Sequence, residues 1–145
     1  MPFHKAEAIK GYTAGIIDGE GSIMIMKQRT STCKRGHTYQ LKVVVTNTNE
    51  WLIRWFKMQY GGTIQYKKSK RPQEKDIFEW RVVSQEAKRF LEYISPYLII
   101  KKAQAEIAVR FQTNRRRGKP QTELESTVDE IEGNLLRKLN SKGVH

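Results

Sequence analysis

The stretch TAGIIDGEG, residues 13–21, lies between a segment with helical spacing and a segment with strand alternation. It carries two acids, Asp18 and Glu20, among three glycines. Acids are disfavoured at the C-terminal end of a helix, where the macrodipole is negative, unless a cation compensates them. Mg²⁺ binds carboxylate and carbonyl oxygens, and a glycine-rich helix end can offer both. The stretch therefore predicts a helix end that holds a divalent metal ion.

The charge balance of the chain points to a polyanionic partner. The 145 residues suit one compact domain, and 27 Lys and Arg against 15 Asp and Glu give a net charge of +12. A charge this large and positive favours nucleic acid as the partner, with an anionic membrane surface as the second choice.

Cysteine content and hydropathy indicate where the protein works. The single cysteine, Cys33, excludes an internal disulfide and favours an intracellular, reducing compartment. No apolar run reaches the length of a membrane span, and the first residues lack the apolar core of a secretory signal. We therefore expect no membrane partner.

The pattern of apolar residues predicts a single α+β domain over residues 1–145. Helices alternate with two β-hairpins, whose residues alternate as in a half-buried sheet. The predicted strands cover 22–28, 38–47, 63–70 and 76–83, and the predicted helices cover 6–18, 50–62, 84–94, 101–113 and about 122–140. We expect a core over about 6–112, a basic turn at 114–120 and then the C-terminal helix.

Two helices carry apolar residues at helical spacing, which favours core packing. In the second predicted helix these are Trp51, Trp55 and Met58. The apolar stripe of the C-terminal helix contains Leu124, Val128, Ile131, Leu135 and Leu139.

One face of the predicted sheet is polar and mostly cationic or neutral. A two-stranded ribbon with such a face fits the major groove of DNA, where polar side chains can read base edges. A solvated sheet face is the alternative interpretation. The candidate DNA-binding residues on this face and in its loops are Ser22, Met24, Met26, Gln28, Arg35, Gln40, Lys42, Gln65, Lys67, Ser69, Lys70, Glu79, Arg81, Arg115 and Arg116.

The stretch at 13–21 resembles the LAGLIDADG motif of homing endonucleases. The match holds at five positions, Thr13 replaces the usual Leu, and Glu20 replaces the usual Asp. The motif starts the first helix and leads directly into a strand, and the resemblance extends through the order of helices and hairpins to about residue 112. The matching positions are Ala14, Gly15, Ile17, Asp18 and Gly21.

The resemblance implies a fold, a metal and an active site. The fold would be α-β-β-α-β-β-α with a saddle-shaped antiparallel sheet. Glu20 and the carbonyl of Gly19 would hold Mg²⁺, or another divalent metal such as Mn²⁺, while Asp18 would organise the helix end. Asn47, at the end of the second strand, and Lys101 would complete the catalytic site, with Lys102 as the rival lysine.

A single copy of the motif implies a homodimer in this family. Thr13, Ala14, Gly15 and Asp18 would form the dimer interface, and two copies of Glu20 would meet on the twofold axis. Such a dimer would bind a long pseudo-palindromic site in double-stranded DNA and hydrolyse both strands.

Two other functions remain open on the same scaffold. An intron maturase would use it to bind RNA and aid splicing. A DNA-binding regulator would bind its target without cleavage. A protein of membrane surfaces is disfavoured, because the polar face of the amphipathic C-terminal helix is acidic.

Overall fold

The computed structural model describes residues 5–31, 36–115 and 123–141, without the side chains at 123 and 126. Helices alternate with hairpins in the predicted order, so the α+β prediction is confirmed. The elements are α1 (Lys5–Glu20), β1 (Gly21–Arg29), β2 (His37–Asn47), α2 (Glu50–Tyr60), β3 (Thr63–Lys67), β4 (Ile77–Val83), α3 (Ser84–Ile94), α4 (Lys102–Thr113) and α5 (Glu123–Ser141), with a 3-10 turn at Ser95–Tyr97 between α3 and α4.

The four strands form one antiparallel sheet in the order β1-β2-β4-β3. The two hairpins meet along β2 and β4, where Val45 lies opposite Trp80. Alternate residues of each strand point to the helices, and β2 contributes Leu41, Val43 and Val45 to the core with no exposed surface. The pleat therefore leaves the intervening residues on the outer face of the sheet.

Trp80 lies at the centre of the core. Its ring centroid lies 4.9 Å from that of Phe56 and 5.1 Å from that of Phe90, and its indole Nε1 donates a hydrogen bond of 2.7 Å to the carbonyl of Gly61. This contact fixes the end of α2 against the sheet. Gly62, which follows with a φ of +83°, has no room for a side chain, because a Cβ would lie 2.4 Å from the carbonyl oxygen of Arg81.

The predicted core face of α2 is wrong at two of its three positions. Trp51 and Met58 are 81% and 79% exposed, whereas Ile53 and Phe56 are fully buried. The N-cap of α2 is Asn49, whose side chain accepts a hydrogen bond of 3.2 Å from the Leu52 amide. The helix therefore begins where the sequence predicts but turns another face to the core.

The predicted apolar stripe of α5 is also largely exposed. The buried face instead contains Leu136 and two acids, Asp129 and Glu132. Gly133 lets α5 approach β1 closely, since a Cβ there would lie 3.3 Å from the carbonyl oxygen of Ile25. Four residues of the predicted stripe are more than 40% exposed, and they are Leu124, Val128, Ile131 and Leu135.

Candidate metal centre and nucleic-acid interface

The two acids of the motif face different surroundings. The carboxylate of Asp18 is buried and accepts three backbone hydrogen bonds from the segment before α4. The amide of Ile99 lies 2.9 Å from Oδ2, and the amides of Ile100 and Lys101 lie 3.1 and 2.9 Å from Oδ1. These three amides precede Lys102, the first residue of α4, so Asp18 fixes the segment that leads into α4 from a distant part of the chain.

Lys101 compensates the C-terminal end of α1. Its ammonium Nζ donates a hydrogen bond of 2.7 Å to the backbone carbonyl of Asp18. Burial lowers the pKa of the Lys101 amine, and the charge of Asp18 acts in the opposite direction. Lys102 is exposed and is the first residue of α4. The structure therefore places the Lys101 ammonium beside the end of α1, in contact with Asp18.

Glu20 is exposed, and its described partner is an amide. Asn47 Nδ2 donates a hydrogen bond of 2.5 Å to Glu20 Oε2, while the Asn47 side-chain oxygen accepts one of 2.7 Å from the Asn49 amide. The start of α2 thus orients Asn47, and Asn47 orients the carboxylate. Within residues 5–31, 36–115 and 123–141, no ion pair involves Glu20.

The outer face of the sheet carries most of the side chains predicted to contact DNA. The register pairs Met24 with Lys42 and Gln65 with Glu79, so each of these pairs projects from the same face. Gln28 donates a side-chain hydrogen bond of 2.7 Å to Gln40. The predicted residues on this face are Ser22, Met24, Met26, Gln28, Gln40, Lys42, Gln65, Lys67, Glu79 and Arg81.

Comparison with known proteins decides the family. A family model described as LAGLIDADG endonuclease matches residues 13–110, which is more than half of the 145 residues. The chain belongs to the LAGLIDADG endonuclease family. No curated protein sequence matches it.

Solved structures of LAGLIDADG homing endonucleases share this fold. I-CvuI, in complex with its target in the presence of 2 mM Ca, aligns with a TM-score of 0.70 at 20% identity, over 94% of this chain and 82% of that chain. In complex with the I-CreI target and 2 mM Mg, I-CvuI aligns with a TM-score of 0.70 at 18% identity, over 97% and 98%. The archaeal intron-encoded I-Vdi141I, complexed with DNA, aligns with a TM-score of 0.60 at 15% identity, over 92% and 98%.

The oxygen atoms at the end of the LAGLIDADG helix fit a hard divalent cation. Glu20 offers a solvent-exposed carboxylate, and Gly19 contributes one of the last four helix carbonyls, which lack an intrahelical partner. The described parts of the chain contain no cluster of three or more His, Cys, Asp or Glu that could hold a metal.

Ser69 and Lys70 lie beyond the sheet, because β3 ends at Lys67. This corrects the predicted strand at 63–70. Ser69 belongs to the β3–β4 loop, where its amide donates a hydrogen bond of 2.9 Å to Asp76 and its hydroxyl donates one of 3.0 Å to the Arg71 carbonyl. Its side chain supports the loop that presents Lys70, which is exposed.

Asp76 also holds the start of this loop to β3. The Tyr66 hydroxyl donates a hydrogen bond of 2.5 Å to Asp76 Oδ2. This bond raises the pKa of the Tyr66 phenol and lowers that of the Asp76 carboxyl. The basic loop between the strands is therefore anchored at one acid.

Of the basic turn predicted after α4, the structure describes residues up to Arg115. Arg115 Nη1 lies 3.1 Å from Asp129 Oδ2, and Nη2 donates a hydrogen bond of 3.2 Å to Thr38. Arg115 thus joins α5 to β2, which differs from the predicted role as a DNA contact. Arg116 and Arg35, which are also predicted to contact DNA, lie outside the described residues.

The predicted dimer interface falls mostly inside the protomer. Thr13 and Ala14 have no exposed surface, and the Thr13 hydroxyl lies 2.6 Å from the Tyr60 hydroxyl. Asp18 is 8% exposed and is bound to the α4 segment. These side chains pack α1 onto its own chain, so of the four predicted positions Gly15 remains on the surface.

Gly15 belongs to a stripe of glycines on α1, of which Gly15 alone is a predicted interface residue. In the described chain no atom beyond the adjoining backbone of α1 lies within 4 Å of the position that a Cβ would occupy at Gly11, Gly15 or Gly19. Their spacing of four residues places them on one helix face, beside Ala8 and the half-exposed Tyr12. The spacing of four residues between Gly11, Gly15 and Gly19 is visible in the sequence and is the signal for this stripe.

Proposed function

We propose that this chain is a site-specific homing endonuclease that binds a long, pseudo-palindromic site in double-stranded DNA as a homodimer. It hydrolyses phosphodiester bonds on both strands with Mg²⁺ or Mn²⁺. The observation that carries the proposal is the contrast between the two motif acids. Asp18 is fully used by the fold, whereas Glu20 stands exposed at the negative end of α1, paired with an amide.

The protein prepares this end of α1 for a cation and a phosphate. When bound, the metal would polarise a phosphate oxygen and lower the pKa of a water molecule. Asn47 holds the Glu20 carboxylate through Oε2, and Lys101 places a cation beside the same helix end. Both side chains are themselves fixed by backbone groups, so the site is organised before DNA binds.

The outer sheet face supplies the binding surface. Its polar residues lie on a rigid antiparallel sheet, and cationic side chains there contribute affinity for the phosphate backbone. I-CvuI and I-Vdi141I, which share the fold, have been determined with DNA. Nothing in these comparisons supports RNA as the partner, which makes a maturase the weaker alternative.

The homodimer completes the site. One chain offers a single Glu20, whereas cleavage of both strands requires a metal site for each strand. The glycine stripe on α1 ends at Gly19, next to Glu20. Two copies packed along this stripe would bring their Glu20 carboxylates together, because glycines allow helix backbones to approach closely.

Gly15→Leu should dissociate the dimer and abolish double-strand cleavage while the protomer stays folded. Leu is a better helix former than Gly, so α1 should not lose stability. An extra side chain in a packed contact costs about 1–3 kcal/mol, and a twofold interface receives it twice. Sedimentation equilibrium checks the dimer, with Ala6→Leu on the opposite side of α1 as the matched control.

The assignment of the dimer surface has a clear contrary result. If Gly15→Leu remains dimeric at the wild-type dissociation constant, the glycine stripe is not the interface. If both Leu variants dissociate, the effect arises from added hydrophobic surface rather than from the stripe.

The experiment for the function itself begins with selection of bound sites from random double-stranded DNA. The selected sites are then placed in a plasmid and incubated with the protein and Mg²⁺. We expect linear plasmid with Mg²⁺ or Mn²⁺ and none with a chelator. Selective binding without cleavage in either metal would favour a regulator, and a stronger preference for RNA would favour a maturase.

A further inference from the structure

Four polar side chains form a connected group on the outer face of the sheet. Gln65 and Lys67 lie on β3, and Glu79 and Arg81 lie on β4. Gln65 lies directly opposite Glu79. Arg81 lies two residues after Glu79 in β4, on the same face of the sheet. We call these four residues the donor patch, because N–H donors form its outer surface, as their hydrogen bonds show.

The bonds within the donor patch use its acceptors. Arg81 Nη2 donates both to the Gln65 side-chain oxygen and to Glu79 Oε2. Lys67 Nζ lies 3.8 Å from the other carboxylate oxygen of Glu79. Gln65 has a single acceptor oxygen, and Arg and Lys have none. Each acceptor group of the patch therefore already faces a cation.

The polar groups of the patch that these bonds do not engage are donors. They are the amide NH₂ of Gln65 and the Nη1 of Arg81, and the Lys67 ammonium, 3.8 Å from Glu79, has further N–H groups. The side chain of Glu79 is 11% exposed, whereas those of Arg81 and Lys67 are 25% and 61% exposed. The acid thus lies beneath the cations and holds them, while N–H groups form the outer surface.

We propose that the donor patch selects guanine in the major groove and that Glu79 is the positioning residue behind this selection. The inference rests on the proposed function, in which the outer sheet face meets DNA. Guanine presents two acceptors in the major groove, N7 and O6, whereas cytosine presents an amino donor and adenine presents an amino donor beside its N7. A surface made of donors pairs with both acceptors of guanine, whereas thymine offers the single acceptor O4 beside a methyl group, and cytosine and adenine each present an amino donor.

Glu79→Gln should separate affinity from selectivity. The variant removes a negative charge from the DNA-facing surface, so binding averaged over all sequences should become tighter. It also replaces the charged acceptor that holds Arg81 with a neutral amide oxygen, so Arg81 should be held less firmly. Guanine preference at the contacted base pair should therefore fall, at most by the factor of about 5 to 150 that one good base contact provides. Binding to a library of single-base variants of the selected site, measured in Ca²⁺, gives both values.

Glu74→Gln is the matched control for the charge. Glu74 lies in the β3–β4 loop, where it pairs with Arg71 at 3.6 Å and is 58% exposed. Its removal should strengthen binding to all sequences without changing the base preference. If Glu79→Gln gives the same uniform effect, Glu79 merely repels DNA and the positioning role is wrong.

Gln65→Glu tests the donor arrangement in the opposite direction. A carboxylate can still accept the bond from Arg81, but its second oxygen replaces the NH₂ donor with an acceptor. The preferred base should therefore shift from guanine toward cytosine, whose N4 amino group donates. Gln65 is exposed, so this variant should fold even if Glu79→Gln does not.

The outcomes distinguish this proposal from the function on which it rests. Failure of the wild-type protein to bind double-stranded DNA would overturn the proposed function. Suppose instead that the wild-type protein binds DNA selectively. If Glu79→Gln then keeps the wild-type guanine preference, or Gln65→Glu shows no shift toward cytosine, the proposed role of the donor patch is wrong, while the proposed endonuclease function still stands.

Discussion

Glu20→Gln should abolish DNA cleavage while specific DNA binding survives. The loss of rate should be on the order of 10³-fold or more, as expected when an active site loses a principal electrostatic group. The amide has nearly the shape of the carboxylate, so the end of α1 should keep its structure. It is neutral, however, and Mg²⁺ prefers ionised carboxylate oxygen.

Binding should persist because its free energy comes from other residues. In the proposed complex, Lys and Arg would contact phosphates and the sheet face would contact bases, without Glu20. In the proposed dimer, the variant would also remove two negative charges from the surface that faces DNA. Binding without divalent metal should therefore be unchanged or tighter.

Glu20→Asp adds a finer test of the same site. It introduces the residue that is usual in the motif, but its side chain is shorter by one methylene. Mg²⁺ demands near-ideal positions from its ligands, and Asn47 is placed to hold the longer carboxylate. We expect cleavage that is reduced but measurable.

Plasmid linearisation in Mg²⁺ and gel shift in Ca²⁺ measure the two properties separately. Glu7→Gln, which removes an acid from the first turn of the same helix, is the control for overall charge. Cleavage by Glu20→Gln at the wild-type rate would show that Glu20 is not the metal ligand. Loss of both binding and cleavage would assign it a structural role instead.

The fold could be predicted because its signals are local. The alternation of Leu41, Val43 and Val45 fixes one face of β2, and the two-residue period leaves little freedom in which side is buried. The cap at Asn49 fixes the start of α2. Such signals depend on neighbouring residues, and the structure agrees with them to within a few positions.

The helix faces were harder to predict, because a helix can bury different stripes of one sequence. In α5 the apolar stripe was expected inside, but Gly133 allows close contact with β1 and Arg115 pairs with the buried Asp129. Long-range contacts of this kind override the apolar pattern. The same limitation applies to Trp51, which the structure leaves exposed.

The candidate site was predictable as a set of residues but not as a network. The motif identifies Asp18 and Glu20, yet nothing local indicates that Asp18 bonds to amides 81 to 83 residues away. Nor does the sequence show that Asn49 orients Asn47. Only the three-dimensional structure shows that Asp18 holds the segment before α4 whereas Glu20 is left exposed.

Because the Asp18 carboxylate accepts three backbone hydrogen bonds, its removal should lower the stability of the protein strongly. We expect Asp18→Ala to lower the free energy of unfolding by about 3–5 kcal/mol. Hydrogen bonds to a charged group contribute about 1.5–3 kcal/mol each, and water can reach part of the freed backbone, so the loss should be smaller than the sum. Urea denaturation measures it, and Asp76→Ala, which frees an amide in an exposed loop, should cost far less.

Asp18→Asn tests whether the carboxylate charge of Asp18, rather than the volume of its side chain, stabilises this contact. Its oxygen can still accept from Ile100 and Lys101, but its NH₂ group would face the amide of Ile99, so two donors would meet. We therefore expect the free energy of unfolding of Asp18→Asn to lie between those of the wild type and Asp18→Ala. Glu20→Gln should unfold at the same urea concentration as the wild type. If Asp18→Asn is as stable as wild type, the carboxylate charge does not contribute to holding the segment before α4 against α1. The bond from Lys101 Nζ to the backbone carbonyl of residue 18 would then remain as the polar contact between them.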